Sequence, residues 1–490
     1  MDKDPEDVRY NFVRWLSNDI GTAIGPSRAH PETGEILDAD VVLTDGWIRH
    51  FNYQFNDLLP DAAMEGMSPE TLSWLASRPQ YDPRVLLADP AQQEFVKAEI
   101  AQRGVQRYGG HPAAMIDNTL YGDNEYDGQM DTQSEFNGMC MAARGKGLDV
   151  AMMAMHLEMA KEFIGDEAED ENTDMLDGMP DWFIGPMLAD LVAHEVGHTI
   201  GLRHNFKASS QYTMAEINSE KVKGKAFTAS VMDYNPININ MESGEIQGDY
   251  AMIDIGDYDY WVIEYGYGDK PEETVKLAAE KNIPYATDYD TWGIDPLARR
   301  YDFAAWPLDY CENQKRLIDM YRDRLMDKFV GEGDSWSRAT RGYNITLNQQ
   351  LSGVSIMANW IGGAYVHRDK KGDPEGRPPL VVVEADKQRA ALKYVLENGM
   401  RDEAFGLTPE VITHLSADNW SDQRGDWMAD PAFPIHDRVN GMMSSSLTMV
   451  MNPTTLKNVY DNEFRVASDQ DTVTLPEVMN AVVTEVFSEI

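Results

Sequence analysis

Cysteine is nearly absent: 490 residues carry two, Cys140 and Cys311, too few and too far apart for a thiolate metal site and enough for one bridge at most. They leave the redox compartment open. Long apolar runs are missing as well. No stretch approaches the roughly 18 apolar residues of a membrane-spanning helix, and residues 1–20 are charged rather than built like a signal peptide. Basic residues are scarce against acidic ones, 42 to 83, a formal net charge of −41. A surface of that sign repels nucleic-acid phosphates and anionic membranes, which excludes both as partners, and it favours solubility, cationic ligands and calcium. Disorder is not implied, because 42% hydrophobic residues supply a large core and the length leaves room for two or three domains.

What is present is concentrated in eleven residues, His194-Glu195-Val196-Gly197-His198-Thr199-Ile200-Gly201-Leu202-Arg203-His204. On a helix, His194 and His198 stand one turn apart on one face, roughly 6 Å along the axis, so their ring nitrogens reach one ion. Glu195 lies between them, within reach of a water at that ion. Gly201 permits the left-handed backbone that ends a helix, and the chain can turn back to bring His204 in as third ligand. Three neutral imidazoles leave zinc an open position, the mark of a catalytic rather than a closed structural site. This is the metzincin form of the zinc-protease motif. Downstream, Ser230-Val231-Met232-Asp233-Tyr234 matches the methionine turn that lies beneath the zinc in that group. Met232 alone would carry no information among 28 methionines.

Periodicity places these motifs. Val8–Leu16, Thr22–Ser27 and Ile36–Leu43 read as strands, the last alternating with period two. Residues 46–165 are mostly helical in pattern, clearest at Pro90–Arg103 and Leu148–Phe163, and read as an insertion between the sheet and the active-site helix Met187–Gly201, with Pro186 at its start. Beyond the methionine turn, helices are expected at Asn313–Phe329, Asn348–Ile361, Asp386–Asn398, Arg438–Met451 and Pro476–Phe487. The acidic run Gly165–Asp174 reads as a solvated loop, with a weak calcium site as the alternative. Asp288 and Asp290 offer the same choice between a plain turn and calcium. His156 reads as a core or surface histidine, and His367, His414 and His436 show no ligand spacing.

The chain resembles the bacterial zinc-dependent metalloproteases of the Met-zincin family, metzincins with an EcxA-like C-terminal domain. Besides the zinc motif, the resemblance takes in Asp4-Pro5-Glu6-Asp7-Val8-Arg9-Tyr10-Asn11, Gly25-Pro26-Ser27, Pro31 to Leu37, Tyr258-Asp259-Tyr260-Trp261, Gly376-Arg377-Pro378-Pro379 and Pro434 to Arg438. It implies an α+β protein: a metzincin-like catalytic domain over residues 1–269, with a mixed sheet and an active-site helix, then a mainly helical C-terminal domain over 270–490. The strand and long helix that usually open such domains are not found, so the chain reads as the downstream part of a longer protein or a shortened relative. An edge strand near Ala23 to Ser27 is expected to pair with the substrate backbone.

The implied activity is zinc-dependent endopeptidase chemistry on a protein or peptide substrate. His194, His198 and His204 hold one Zn2+, which activates a water, and Glu195 is general base and then general acid. Tyr234 occupies the position of a tyrosine that ligates zinc and swings to the oxyanion in some relatives; a tyrosine merely packed behind the turn is the alternative. Met232 packs under the metal without chemistry. The family resemblance also implies a periplasmic or extracellular location. Two rival readings are a narrow-specificity, toxin-like or processing protease and a non-catalytic module that keeps zinc. Glu195 argues against the second, since a structural site needs no base.

Overall fold

The computed structural model describes residues 3–5, 7–17, 23–49, 62–88, 90, 92–103, 139–140, 142–159, 174–176, 179–241, 244–279, 283–373, 376–417 and 431–488. A five-stranded mixed sheet comes first, from β1 (Phe12–Leu16), β2 (Ala23–Ile24), β3 (Ser27–Ala29), β4 (Ile36–Thr44) and β5 (Met139–Cys140). β4 is its spine: β1 runs parallel to it on one side, and β2 and β3 pair antiparallel with it on the other. Along β4 the buried positions are Asp38, Val41, Leu43 and Thr44, so the period-two pattern holds only from Val41 to Leu43. β2 does not lie at an edge as expected, because β5 pairs with its other side. β3, by contrast, pairs only with β4 among the described residues.

Helices supply the rest: α1 (Pro69–Ala76), α2 (Gln93–Arg103), α3 (Ala142–Met159), α4 (Asp181–Thr199), α5 (Asp257–Tyr267), α6 (Pro307–Arg324), α7 (Ser337–Ala358), α8 (Ala385–Gly399), α9 (Ile435–Met451), α10 (Pro453–Glu463) and α11 (Leu475–Val486). The fold is therefore α+β with a helical remainder. α1, α5 and α10 are helices the periodicity did not announce. Two of them open on a polar cap followed by proline: Ser68 Oγ accepts from Thr71 N, and Asn452 Oδ1 accepts from Thr455 N. Each satisfies an N–H the first turn would leave orphaned. α3 packs into the core. Val150, Met152, Met153 and Met155 are buried in one apolar core that continues from Ala23 to Val482. His156 is a core histidine, its Nδ1 2.9 Å from Tyr321 Oη. Cys311 is a buried free thiol, 3.7 Å from Gly353 O, so the bridge allowed by the cysteine count is not formed.

The helix that carries the histidine motif starts earlier than expected. α4 begins at Asp181, and Pro186 lies inside it. Proline there forgoes a helical hydrogen bond. The added first turn is held by side-chain packing: Phe183 and Ile184 are buried, and Trp182 and Phe183 meet the ring of Tyr250. α4 lies against β4, so the sheet backs the motif. Residues 165–173 of the acidic run lie outside the described residues.

Candidate metal centre

α4 ends at Thr199, and Gly201 takes the left-handed conformation, φ +88°. Leu202 N then donates to Gly197 O, 3.0 Å, and the chain folds back on its own helix. That reversal brings His204 beside the pair on the helix. The rings of His194, His198 and His204 lie 4.7–5.2 Å apart, centroid to centroid. All three are buried, and one ligand atom from each falls within 4.8 Å of the others. His198 Nε2 and His204 Nε2 are 3.1 Å apart.

The opposite ring nitrogens decide the tautomers. His194 Nδ1 is 2.6 Å from Val231 O, and His198 Nδ1 is 3.0 Å from Leu202 O. Carbonyls only accept, so both Nδ1 atoms carry the proton and both Nε2 atoms are lone pairs. His204 Nδ1 faces both carboxylate oxygens of buried Asp288 at 3.3 Å, which selects the same tautomer. Burial first, then the neighbouring imidazoles, pushes His194 well below the usual histidine range, and burial with His204 brings His198 down to about 3. Both stay neutral, the form that binds metal. Lone pairs facing one another at 3.1 Å with no proton between them repel, and a cation among them removes the repulsion. The donor set therefore fits a zinc-type ion with three imidazoles.

Glu195 is fully buried. The sheet reaches it through Gly25: a Cβ there would come within 2.3 Å of Glu195 O and 3.3 Å of Oε2. Tyr234 is buried too, with its hydroxyl 3.0 Å from His204 Nε2, on the side where the histidines converge. Met232 lies under α4, so close that a Cβ on Gly197 would stand 2.2 Å from its Sδ. The glycine within His-Glu-Val-Gly-His is thus where helix and turn touch.

Two aspartates that hold the site were not assigned that role from sequence. Asp288 was weighed as calcium ligand or turn residue; it opens the turn Asp288–Trp292, as the turn reading expects, and its carboxylate also faces His204, while Asp290 accepts from Thr287 N and caps the same turn. Asp259, in a segment without derivable chemistry, accepts from Ser230 Oγ at 2.5 Å and from Val231 N and Gly256 N at 2.9 Å. It thereby fixes the turn whose Val231 O holds His194. Such outer partners set ring orientation and ligand basicity. His367 and His414 join no such cluster: His414 packs on Trp336, and His367 N donates to Pro379 O. Among the described residues the three-histidine group is the only one with metal-binding geometry.

A family profile described as Met-zincin matches residues 177–490, a span that contains all three histidines, Glu195 and the 230–234 turn. No curated protein and no solved structure matches the chain significantly.

Proposed function

The chain belongs to the Met-zincin family, and we propose that it is a zinc-dependent endopeptidase acting on proteins or peptides. One observation carries the reading: three imidazoles, two with Nδ1–H committed to a carbonyl and one to a carboxylate, turn their remaining nitrogens to one point beside a buried glutamate. His194, His198 and His204 would hold the ion. When bound, zinc supplies a Lewis acid that polarises the scissile carbonyl and brings the pKa of water toward neutrality.

The remaining steps belong to side chains. The Glu195 carboxylate takes the proton of the attacking water and returns it to the leaving amine nitrogen. The Tyr234 hydroxyl donates to the oxyanion as the carbonyl carbon becomes tetrahedral. Met232 fills the role of a methionine turn, packing beneath the ligands without touching the reaction. An extended substrate can add to the side of β3 that pairs with no strand among the described residues. Location outside the cytoplasm and a division near residue 270 belong to the same proposal and rest on the family resemblance.

The test is metal analysis together with cleavage of a proteome-derived peptide library, with and without a chelator, for the native chain and Glu195→Ala. Chelator-sensitive cleavage is expected, and the variant should keep metal and fold while losing about 10²–10⁴-fold in turnover. Cleavage that survives in Glu195→Ala would remove Glu195 as the base. Bound metal without cleavage in the native chain would favour the binding-module reading.

A further inference from the structure

The hydroxyl of Tyr234 reaches the histidines on a ring that is packed from three sides. His204 and Phe206 each stand 4.9 Å from it, centroid to centroid, and both belong to the ligand segment itself. The third neighbour comes from much further along the chain. Tyr301 lies 5.6 Å from Tyr234 between centroids, its plane tilted by 34°. Tyr301 N also donates to Tyr234 O at 3.2 Å, so this one residue touches both the ring and the backbone of Tyr234.

The backbone of Tyr301 is left-handed, φ +61°, and so is that of Ala304, φ +74°. Residues other than glycine adopt this conformation at a cost, and it persists only where the surroundings impose it. Here both flanks are tied down: Arg299 N donates to Phe206 O at 3.0 Å, and Ala305 N to Tyr212 O at 2.7 Å. Ser209 joins the same stretch to the turn that carries Tyr234, since its Oγ donates to Asp302 Oδ1 and its N to Asp233 Oδ2, both at 2.9 Å. The space for the Tyr301 ring is made by α3, where a Cβ on Gly145 would stand 2.3 Å from Tyr301 Cε1. A strained backbone and a matching clearance thus meet at the ring that abuts Tyr234. On the reading of Tyr234 as oxyanion donor, we infer that Tyr301 is a positioning residue, its ring fixing where the Tyr234 hydroxyl stands at the histidine cluster. Such a donor works by being in place beforehand, and a misplacement of about 1 Å can cost about 10²-fold in rate.

Two readouts on the full chain test this. 15N-histidine spectra after chelation need neither metal nor turnover: they report the hydrogen bond from Tyr234 Oη to His204 Nε2, 3.0 Å, and Tyr234→Phe marks where the unbonded nitrogen resonates. Tyr301→Leu should move the His204 resonance more than half way to that position, and Tyr301→Phe, which keeps the ring, should leave it at the native one. Gly145→Ala suits a helix better than glycine, crowds the same ring without altering it, and should move the resonance as Tyr301→Leu does. In the zinc-loaded chain, Tyr301→Leu should lower kcat about 10-fold at unchanged KM, within the roughly 10²-fold expected for loss of the hydroxyl itself. It should have no further effect in the Tyr234→Phe background. A His204 resonance at its native position in both Tyr301→Leu and Gly145→Ala would overturn the proposal, and so would a kcat loss that persists without the Tyr234 hydroxyl. A native chain without chelator-sensitive cleavage would end the endopeptidase reading alone, and the His204 resonance would still decide whether Tyr301 places the hydroxyl.

Discussion

Gly197 is the position where two physical effects predict opposite signs. It lies inside α4, and a glycine in a helix interior costs about 0.5–1 kcal/mol relative to alanine. On propensity alone, Gly197→Ala would stabilise the protein. The tertiary structure reverses this. A Cβ at 197 would stand 2.2 Å from Met232 Sδ and 3.3 Å from its Cε, and Met232 is fully buried, so the thioether can yield only by displacing its neighbours. Overpacking of this kind costs about 1–3 kcal/mol. Methionine is flexible, which favours the middle of that range, and the net expectation is a loss of about 1 kcal/mol. Urea denaturation at fixed metal content measures it. A double-mutant cycle with Met232→Ala isolates the cause. Met232→Ala alone should cost about 2–5 kcal/mol through the cavity it leaves, and in the double variant the added methyl occupies part of that space. The two changes should therefore be less destabilising together than their sum, by about 1–2 kcal/mol. A stabilised Gly197→Ala, or strictly additive effects, would refute the argument that this glycine exists to admit Met232.

Asp288→Asn keeps the shape but removes the charge facing His204 Nδ1, 3.3 Å away, and should weaken zinc binding by about 10–100-fold; competition with a chelating dye measures it, and an unchanged affinity would deny Asp288 an orienting role. Tyr234→Phe should leave zinc content and KM nearly unchanged and lower kcat by about 10²-fold, whereas a tyrosine that only packs would give native kcat with a lower unfolding temperature. The third expectation concerns acid. Arg377 holds Asp369 through paired hydrogen bonds from Nε and Nη2, and its guanidinium brings the carboxyl to about 2, below its ordinary 3.8. With the folded value depressed, the contribution is complete above about pH 4 and is lost as pH falls toward 2. Asp369→Asn should remove that part of the acid dependence of stability, seen as a flatter unfolding midpoint between those pH values, and an unchanged slope there would contradict the assignment.

The clustering of the three histidines was legible because their relation is local. His194, Glu195 and His198 fall within one helical turn, and Gly201 announces the reversal that His204 needs, so helix geometry and one left-handed residue settle the arrangement. The C-terminal helices α8, α9 and α11 were also readable, because a stripe of apolar side chains repeats within each of them, whereas α7 was read only from Asn348 and starts at Ser337. α10 was not read, although it is eleven residues long and opens on the Asn452–Pro453 cap. Nor was the earlier start of α4, where packing of Trp182 and Phe183 against Tyr250 outweighs the hydrogen bond lost at Pro186.

What holds the ligands was decided by tertiary structure. Asp288 meets His204 across 84 positions, and Asp259 meets Ser230 across 29; neither pairing has a period or a spacing by which a chain could advertise it. The same holds for Gly25 against Glu195 and for β5, which joins the sheet from Met139 and turns the expected edge at Ala23–Ile24 into an interior strand. Short-range geometry is written in residue order because the backbone repeats with a fixed rise and turn. Contacts between distant segments depend on how whole elements pack, and the order of residues along the chain encodes them only through the assembled fold.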